Sequence, residues 1–428
     1  MDSASPQNSP VLPPDQLRAA RRLFIASALS FVVAAALGAL FRFGMLRGDF
    51  FGLQAGDLRH AHSHLMLMGW ATPALIALIT ARAPALGLQL PLRATLSTGW
   101  LALVLAVLST PAFALYGYRS AAIGEANIPI AAALSGVAML VWYAFAAIFL
   151  FALRRAPNPH TPNPARSLLT IATGAMVVSS AGAWALAAQM ITKSGDALSQ
   201  QLAVHFFVDL FGIGWLLVGA LALLRAETSA AASATEIRAR WMLLIGLPLV
   251  FLAGMPAADL APRILLIGHL AAALSAAGFM ALSLPLWRAL KGWRRVALGL
   301  VMASALMLAA IAIPPVAQWG QSAGLRLFFL HTAFAGAVTL ALISVAARTF
   351  GPSRSPAPAT FALAIALLLM TLLPLTGLMP AALSGRWVLV SALAGALGAT
   401  MLSALATLQA LLPRTTPSPT PSQAPRQQ

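Results

Sequence analysis

Residues 59–70 read Arg59-His60-Ala61-His62-Ser63-His64-Leu65-Met66-Leu67-Met68-Gly69-Trp70. Three of the chain's seven histidines crowd five positions here, and a long, mostly apolar run follows them. On a helix, residues i and i+4 share a face, whereas i+2 points to nearly the opposite side. His60 and His64 can therefore address one neighbour while His62 addresses another. The apolar run reads as a membrane span, and that reading extends to the rest of the chain.

Of the 428 residues, 60% are hydrophobic and 9% are charged, against roughly 25% charged in an ordinary soluble domain. Apolar windows of spanning length lie at 22–46, 60–82, 94–116, 129–153, 166–192, 199–225, 237–256, 262–288, 293–313, 325–349, 357–379 and 387–413. Each can cross a hydrocarbon core roughly 30 Å thick. The expectation is an all-α polytopic membrane protein with twelve transmembrane helices over 21–413, embedded in a lipid bilayer. Residues 1–20 and 414–428 are polar and proline-rich and read as disordered tails. The first of these lacks the apolar core of a signal peptide. With no cysteine, the chain can form neither disulfides nor thiolate-ligated clusters or copper sites.

A net charge of +17 first suggests nucleic acid. In a membrane chain, basic residues instead mark cytoplasmic loops, and no basic face here is interleaved with exposed aromatics. Nucleic acid is therefore excluded as a partner. Arg18, Arg21 and Arg22 precede the first window, and the loops on that side carry further clusters such as Arg154, Arg155 and Arg166. The opposite loops hold mostly single charges. Both termini are thus expected in the cytoplasm of a bacterial cell, with the protein in its inner membrane and a redox partner protein free to dock on the outer face.

His160 lies in the loop sequence NPHTPNP and reads as solvated. The other six histidines fall on helices two, six, eight and ten, each near the outer end. Three of these helices also resemble one another. HAHSHLMLMGW (60–70) aligns without gaps to HFFVDLFGIGW (205–215), matching His60 to His205, Gly69 to Gly214 and Trp70 to Trp215. LFFLHTAFAGA (327–337) places His331 and Gly336 where His64 and Gly69 stand. A spacing of four helices predicts three pseudo-symmetric four-helix arcs around a threefold axis.

Neutral imidazole is a good ligand for heme iron, copper or zinc. A position near a helix N-terminus keeps the ring neutral, because the positive dipole end disfavours imidazolium. Asp209, four residues after His205, is the one carboxylate well inside a predicted span, and it could orient His205. Arg59, Arg263 and Arg326 stand within two turns of the histidines, where heme propionates would need cations. Taken singly, each of these arginines could instead snorkel to the interface, and Met66 and Met68 read as packing residues.

Twelve helices in three arcs, with histidines on helices two, six and ten near the outer face, resemble the heme–copper oxidase catalytic subunit. RHAHSHLMLMGW is similar also to the NnrS family, heme- and copper-associated membrane proteins with a His-Ala-His motif at the start of a helix. The resemblance implies a heme–copper-oxidase-like fold binding heme b, with copper as a second metal. His60 or His62 would stand in the place of the helix-two heme ligand and His331 in that of helix ten; His62 and His331 are taken as the axial pair, supported by Arg59, Arg263 and Arg326. His60 or His64, with His205, Asp209 and His269, would form the second metal site. The role implied is electron transfer, gas sensing or nitric-oxide-stress handling; an enzyme of this kind would be an oxidoreductase. Helix seven (237–256) has no histidine and helix six no tyrosine, so the oxidase family's binuclear centre has no complete counterpart. The alternative is a twelve-helix transporter using the histidine layer for substrate or protons. Transporters of that size usually show twofold repeats and a midplane site.

Overall fold

The computed structural model describes residues 12–156, 163–192, 194–228, 230–256, 258–351, 355–379 and 385–411. His160, residues 1–11 of the expected N-terminal tail and the whole expected C-terminal tail (414–428) lie outside these. Twelve helices among the described residues are long and apolar enough to cross a membrane. They are α1 (Pro14–Arg47), α2 (Ala55–Ala81), α3 (Leu92–Tyr116), α4 (Ile130–Arg154), α5 (Pro164–Thr192) and α6 (Ala197–Arg225). The others are α7 (Ala234–Gly254), α8 (Pro262–Ala289), α9 (Trp293–Ile311), α10 (Leu325–Phe350), α11 (Ala357–Leu375) and α12 (Arg386–Ala410). The chain is an all-α, multi-pass membrane protein.

α1 differs from expectation at its start. It begins at Pro14, so residues 14–20 are helical rather than part of a tail. Proline's fixed φ suits a first turn, and Asp15 complements the helix dipole there. Two small elements also lie outside the span pattern. A hairpin of β1 (Ala121–Ile123) and β2 (Ala126–Ile128) joins α3 to α4 through Gly124, which has positive φ. A short helix, Pro314–Ser322, joins α9 to α10. Twelve crossings return the chain to the face it started from, so the even-numbered helices all start at the opposite face. These are called the terminal face and the histidine face below.

Burial separates the helices into two classes. In α2 and α6, 94% of the apolar stretch is buried, and in α10 78%, whereas no other span exceeds 56%. α2, α6 and α10 therefore form the centre, and the other nine meet lipid. The three central helices touch one another, and each quartet packs first on second, second on third and third on fourth. The ring closes through α4 on α5, α8 on α9 and α12 on α1.

Each central helix widens into a π-helical turn at the aligned place: Leu65–Ala71, Leu210–Leu217 and His331–Val338. Irregular backbone at membrane depth is tolerated only where protein supplies partners for it. Thr72 Oγ1 donates to Leu67 O at 2.9 Å, and Thr339 Oγ1 donates to Phe334 O at 3.1 Å, five residues back in both cases. Each hydroxyl also accepts an indole N–H from a neighbouring central helix. Trp215 Nε1 donates to Thr72 at 3.1 Å, and Trp70 Nε1 donates to Thr339 at 3.0 Å. The bonds run from α6 to α2 to α10. A third rung would need a tryptophan at 337 and a threonine at 217, where Ala337 and Leu217 stand. There the Phe334 ring occupies the space that a side chain at Gly212 would take.

A second fastening sits at the terminal face. Glu227, whose side chain is 1% exposed, meets Arg82 at 2.7 Å, Arg294 at 2.8 Å and Arg348 at 2.9 Å. These arginines come from the ends of α2 and α10 and the start of α9, and Glu227 itself follows α6. Arg225 pairs beside it with Glu236 at 2.7 Å, within a Ser233–Glu236 capping box. Removing one partner of a buried ion pair leaves uncompensated charge and costs about 3–5 kcal/mol. Glu227→Gln is expected to destabilise by that amount in detergent unfolding. Arg348→Gln should cost under about 1 kcal/mol, because the Arg348 side chain is 59% exposed. Equal losses in the two variants would show that Glu227 does not act as the shared anchor.

Candidate functional site

The six histidines of the even-numbered helices share one layer. His60 lies five residues and His64 nine residues in from Ala55, and His205, His269 and His331 fall within those limits on their own helices. At 1.5 Å per residue the layer sits about 8–14 Å below the helix starts. Within it the structure forms four separate groups.

The first group joins α1, α2 and α10. His62 Nδ1 lies 2.7 Å from Ala34 O of α1, and His331 Nδ1 lies 2.8 Å from Leu327 O, one turn back on α10. A backbone carbonyl can only accept, so in both rings Nδ1 carries the proton and Nε2 keeps a lone pair. Neither Nε2 has a hydrogen-bond partner among the described residues. Gly38 makes room for the His62 ring, since a Cβ there would come within 3.1 Å of it. Four residues further along the same face of α1 stands Arg42, which is 8% exposed. Arg42, His62 and His331 are close enough for their charges to interact. The Arg42 guanidinium has no carboxylate or carbonyl partner among the described residues.

The second group is an ion pair. Arg326 of α10 grips Asp209 of α6 with two nitrogens, Nη2 to Oδ1 at 2.9 Å and Nη1 to Oδ2 at 3.4 Å. The sequence assigned Asp209 to His205, but that approach is 3.8 Å and His205 Nδ1 has no hydrogen-bond partner. A guanidinium presents a planar fork that matches a carboxylate, so it takes the anion ahead of the i+4 imidazole. Gly254 of α7 clears the space, since a Cβ would lie 3.0 Å from Arg326 and 3.3 Å from His205.

The third group packs α2 against α3. His64 stacks on Phe113 at 4.0 Å between ring centroids, and His60 meets the edge of Tyr118 at 5.0 Å. Burial pushes the Tyr118 phenol up to about 12, so it stays protonated. Asp57 and Arg119 close this group at the histidine face, 2.5 Å apart. The fourth group is His269 of α8, whose Nδ1 donates to Ile311 O at the end of α9 at 2.8 Å.

These placements separate the expected second metal site. His60 and His64 face α3, His205 and Asp209 face Arg326, and His269 caps α9. Among the described residues no three of His, Asp and Glu gather to hold a metal ion. The arginines expected near propionates are also elsewhere: Arg59 and Arg263 are exposed, and Arg326 is committed to Asp209. His62 of α2 and His331 of α10 lie in the same layer, each with a free Nε2, and Arg42 stands one turn along α1 from the glycine that makes room for His62. Arg42 was legible as a lone arginine inside the first apolar window, and Gly38 had no signal in the sequence alone.

No family model matches the chain, and no curated protein matches it. The second group yields its own test. Arg326→Leu strands the Asp209 carboxylate, whose side chain is 6% exposed, and should destabilise by about 3–5 kcal/mol. Asp209→Asn leaves a guanidinium that is 34% exposed and can rehydrate, so its loss should be about 1 kcal/mol or less. Chemical unfolding in micelles measures both, and the opposite ranking would contradict the burial argument.

Proposed function

We propose that this protein is a membrane cytochrome in which His62 of α2 and His331 of α10 would hold one b-type heme. The supporting observation is the state of these two rings. Each is fixed by a backbone carbonyl at Nδ1 and offers a free Nε2 lone pair, the arrangement that orients and strengthens a metal-ligating imidazole. Arg42 adds a second, independent support. A buried guanidinium without an anionic partner is costly in a bilayer, and a heme brings carboxylates. Bound there, heme would supply one-electron redox chemistry. His62 and His331 would hold the iron, Arg42 would neutralise negative charge, and the surrounding apolar helices would exclude water. Electron transfer or nitric-oxide handling at the inner membrane of a bacterium is the role this supports. The threefold organisation favours it over a transporter, whose repeats are ordinarily twofold.

A visible spectrum of the purified protein tests this directly. A Soret band with split α and β peaks on reduction is expected, lost in His62→Ala and His331→Ala and retained in His269→Ala. Arg42→Gln should lower the midpoint potential, because a nearby positive charge favours the reduced heme. A folded, colourless protein after expression with ample heme would refute the assignment.

A further inference from the structure

A cavity of about 350 Å³ lies beside α8 in the histidine layer, apart from the His62–His331 pair. Its walls include Met255 after α7, Leu265, Leu266 and His269 of α8, and Gln318 and Gln321 of the short helix 314–322. The volume is at the small end of ligand pockets, which run to about 300–1,000 Å³. It suits one substituted ring rather than an extended molecule.

Three features define the chemistry of an occupant. First, none of the lining residues is charged, so neither a phosphate nor an ammonium group finds a counter-ion. Second, the one buried polar side chain in the wall is His269, 8% exposed. Its Nδ1 donates to Ile311 O, so its Nε2 is an acceptor, and that atom has no partner among the described residues. A ligand atom placed there must donate. Third, Leu266 lines the cavity and is 54% exposed on the apolar span α8, so a chain leaving past it would enter the bilayer. Gln321 is turned to the Met255 carbonyl at 2.8 Å, which keeps its amide oxygen available as a second acceptor.

We infer that this cavity binds the ring of a neutral, membrane-dissolved hydroquinone. One hydroxyl donates to His269 Nε2, the glutamine amides meet the other oxygen, and the apolar tail leaves past Leu266 into lipid. The oxidised quinone presents a carbonyl where a donor is needed, so two acceptors would oppose each other. The site is therefore selective for the reduced form. This inference does not depend on the heme assignment.

Titration of the purified full-length protein with decylubiquinol, kept reduced and anaerobic, tests it by calorimetry in detergent. Saturable binding is expected, about tenfold or more tighter than for decylubiquinone, because the mismatched acceptor pair forfeits a hydrogen bond at a buried site. His269→Phe should abolish the preference for the reduced form, and Leu266→Trp should block entry while sitting on an exposed face that tolerates bulk. If His269→Phe fails to fold for loss of its bond to α9, Leu266→Trp alone decides. His331→Ala should leave quinol binding intact, so failure of the heme reading and failure of this one are told apart. Uptake that does not saturate, equal binding of both redox forms, unchanged binding in Leu266→Trp, or a preference for the reduced form that survives in folded His269→Phe would overturn the proposal.

Discussion

The rest of the structure depends on the absence of water around α2, α6 and α10. With almost no lipid-facing surface and no solvent, every polar atom on these helices must find a partner within the protein or accept a penalty of several kcal/mol. The π-helical turns would be untenable alone. Those of α2 and α10 are relieved where Thr72 and Thr339 return a hydroxyl to the carbonyl five residues back while accepting an indole from a neighbouring central helix. One hydroxyl thus relieves a backbone irregularity and joins two helices. Glu227 repeats the device with charge: a single carboxylate gathers arginines from three helices at the terminal face.

Within that frame the three quartets have diverged at equivalent positions. The place of His62 is taken by Phe207 on α6 and by Phe329 on α10, and the place of His64 by Asp209 and His331. Gly38 on α1 opens space for the His62 ring, and Gly182 on α5 lets the α6 backbone at Ala203 and Phe207 approach closely. The geometry is repeated while the chemistry is not. Where the aligned residue is phenylalanine, aromatic packing fills the gap, as with Phe207 stacked on Trp142 and Phe211 tilted against it. On α2 and α10 the layer instead keeps His62 and His331, each held at Nδ1 by a backbone carbonyl.

Span number and the central role of helices two, six and ten could be read from the chain because both are encoded in local pattern. Long apolar runs define spans, and the alignment of 60–70 with 205–215 through His, Gly and Trp, and with 327–337 through His and Gly, marks the repeat. What escaped was set by contacts between distant segments. Whether Asp209 belongs to His205 or Arg326 turns on a separation of 117 residues, and helical spacing argues only for the nearer partner. Glu227 lies just beyond the sixth apolar window, and nothing local in the sequence marks it as the partner of Arg82, Arg294 and Arg348. The grouping of the histidines had the same limit. Their depth follows from sequence, whereas the face each ring presents depends on how neighbouring helices pack.

The tautomer argument separates these histidines further than depth does. In His62, His269 and His331 a backbone carbonyl fixes the proton on Nδ1, so one nitrogen is held and the other is left for a ligand. In His64 and His205, Nδ1 has no partner, so nothing dictates which nitrogen carries the proton. A metal or a hydroxyl donor needs a lone pair at a known place, and a ring free to exchange tautomers must give up that freedom on binding. The first set is preorganised as acceptors. His64, stacked on Phe113, and His205, set beside an ion pair it does not join, are placed as packing and electrostatic neighbours. Six histidines in one layer thus do not make one site. They divide by which backbone carbonyl the surrounding helices bring within reach.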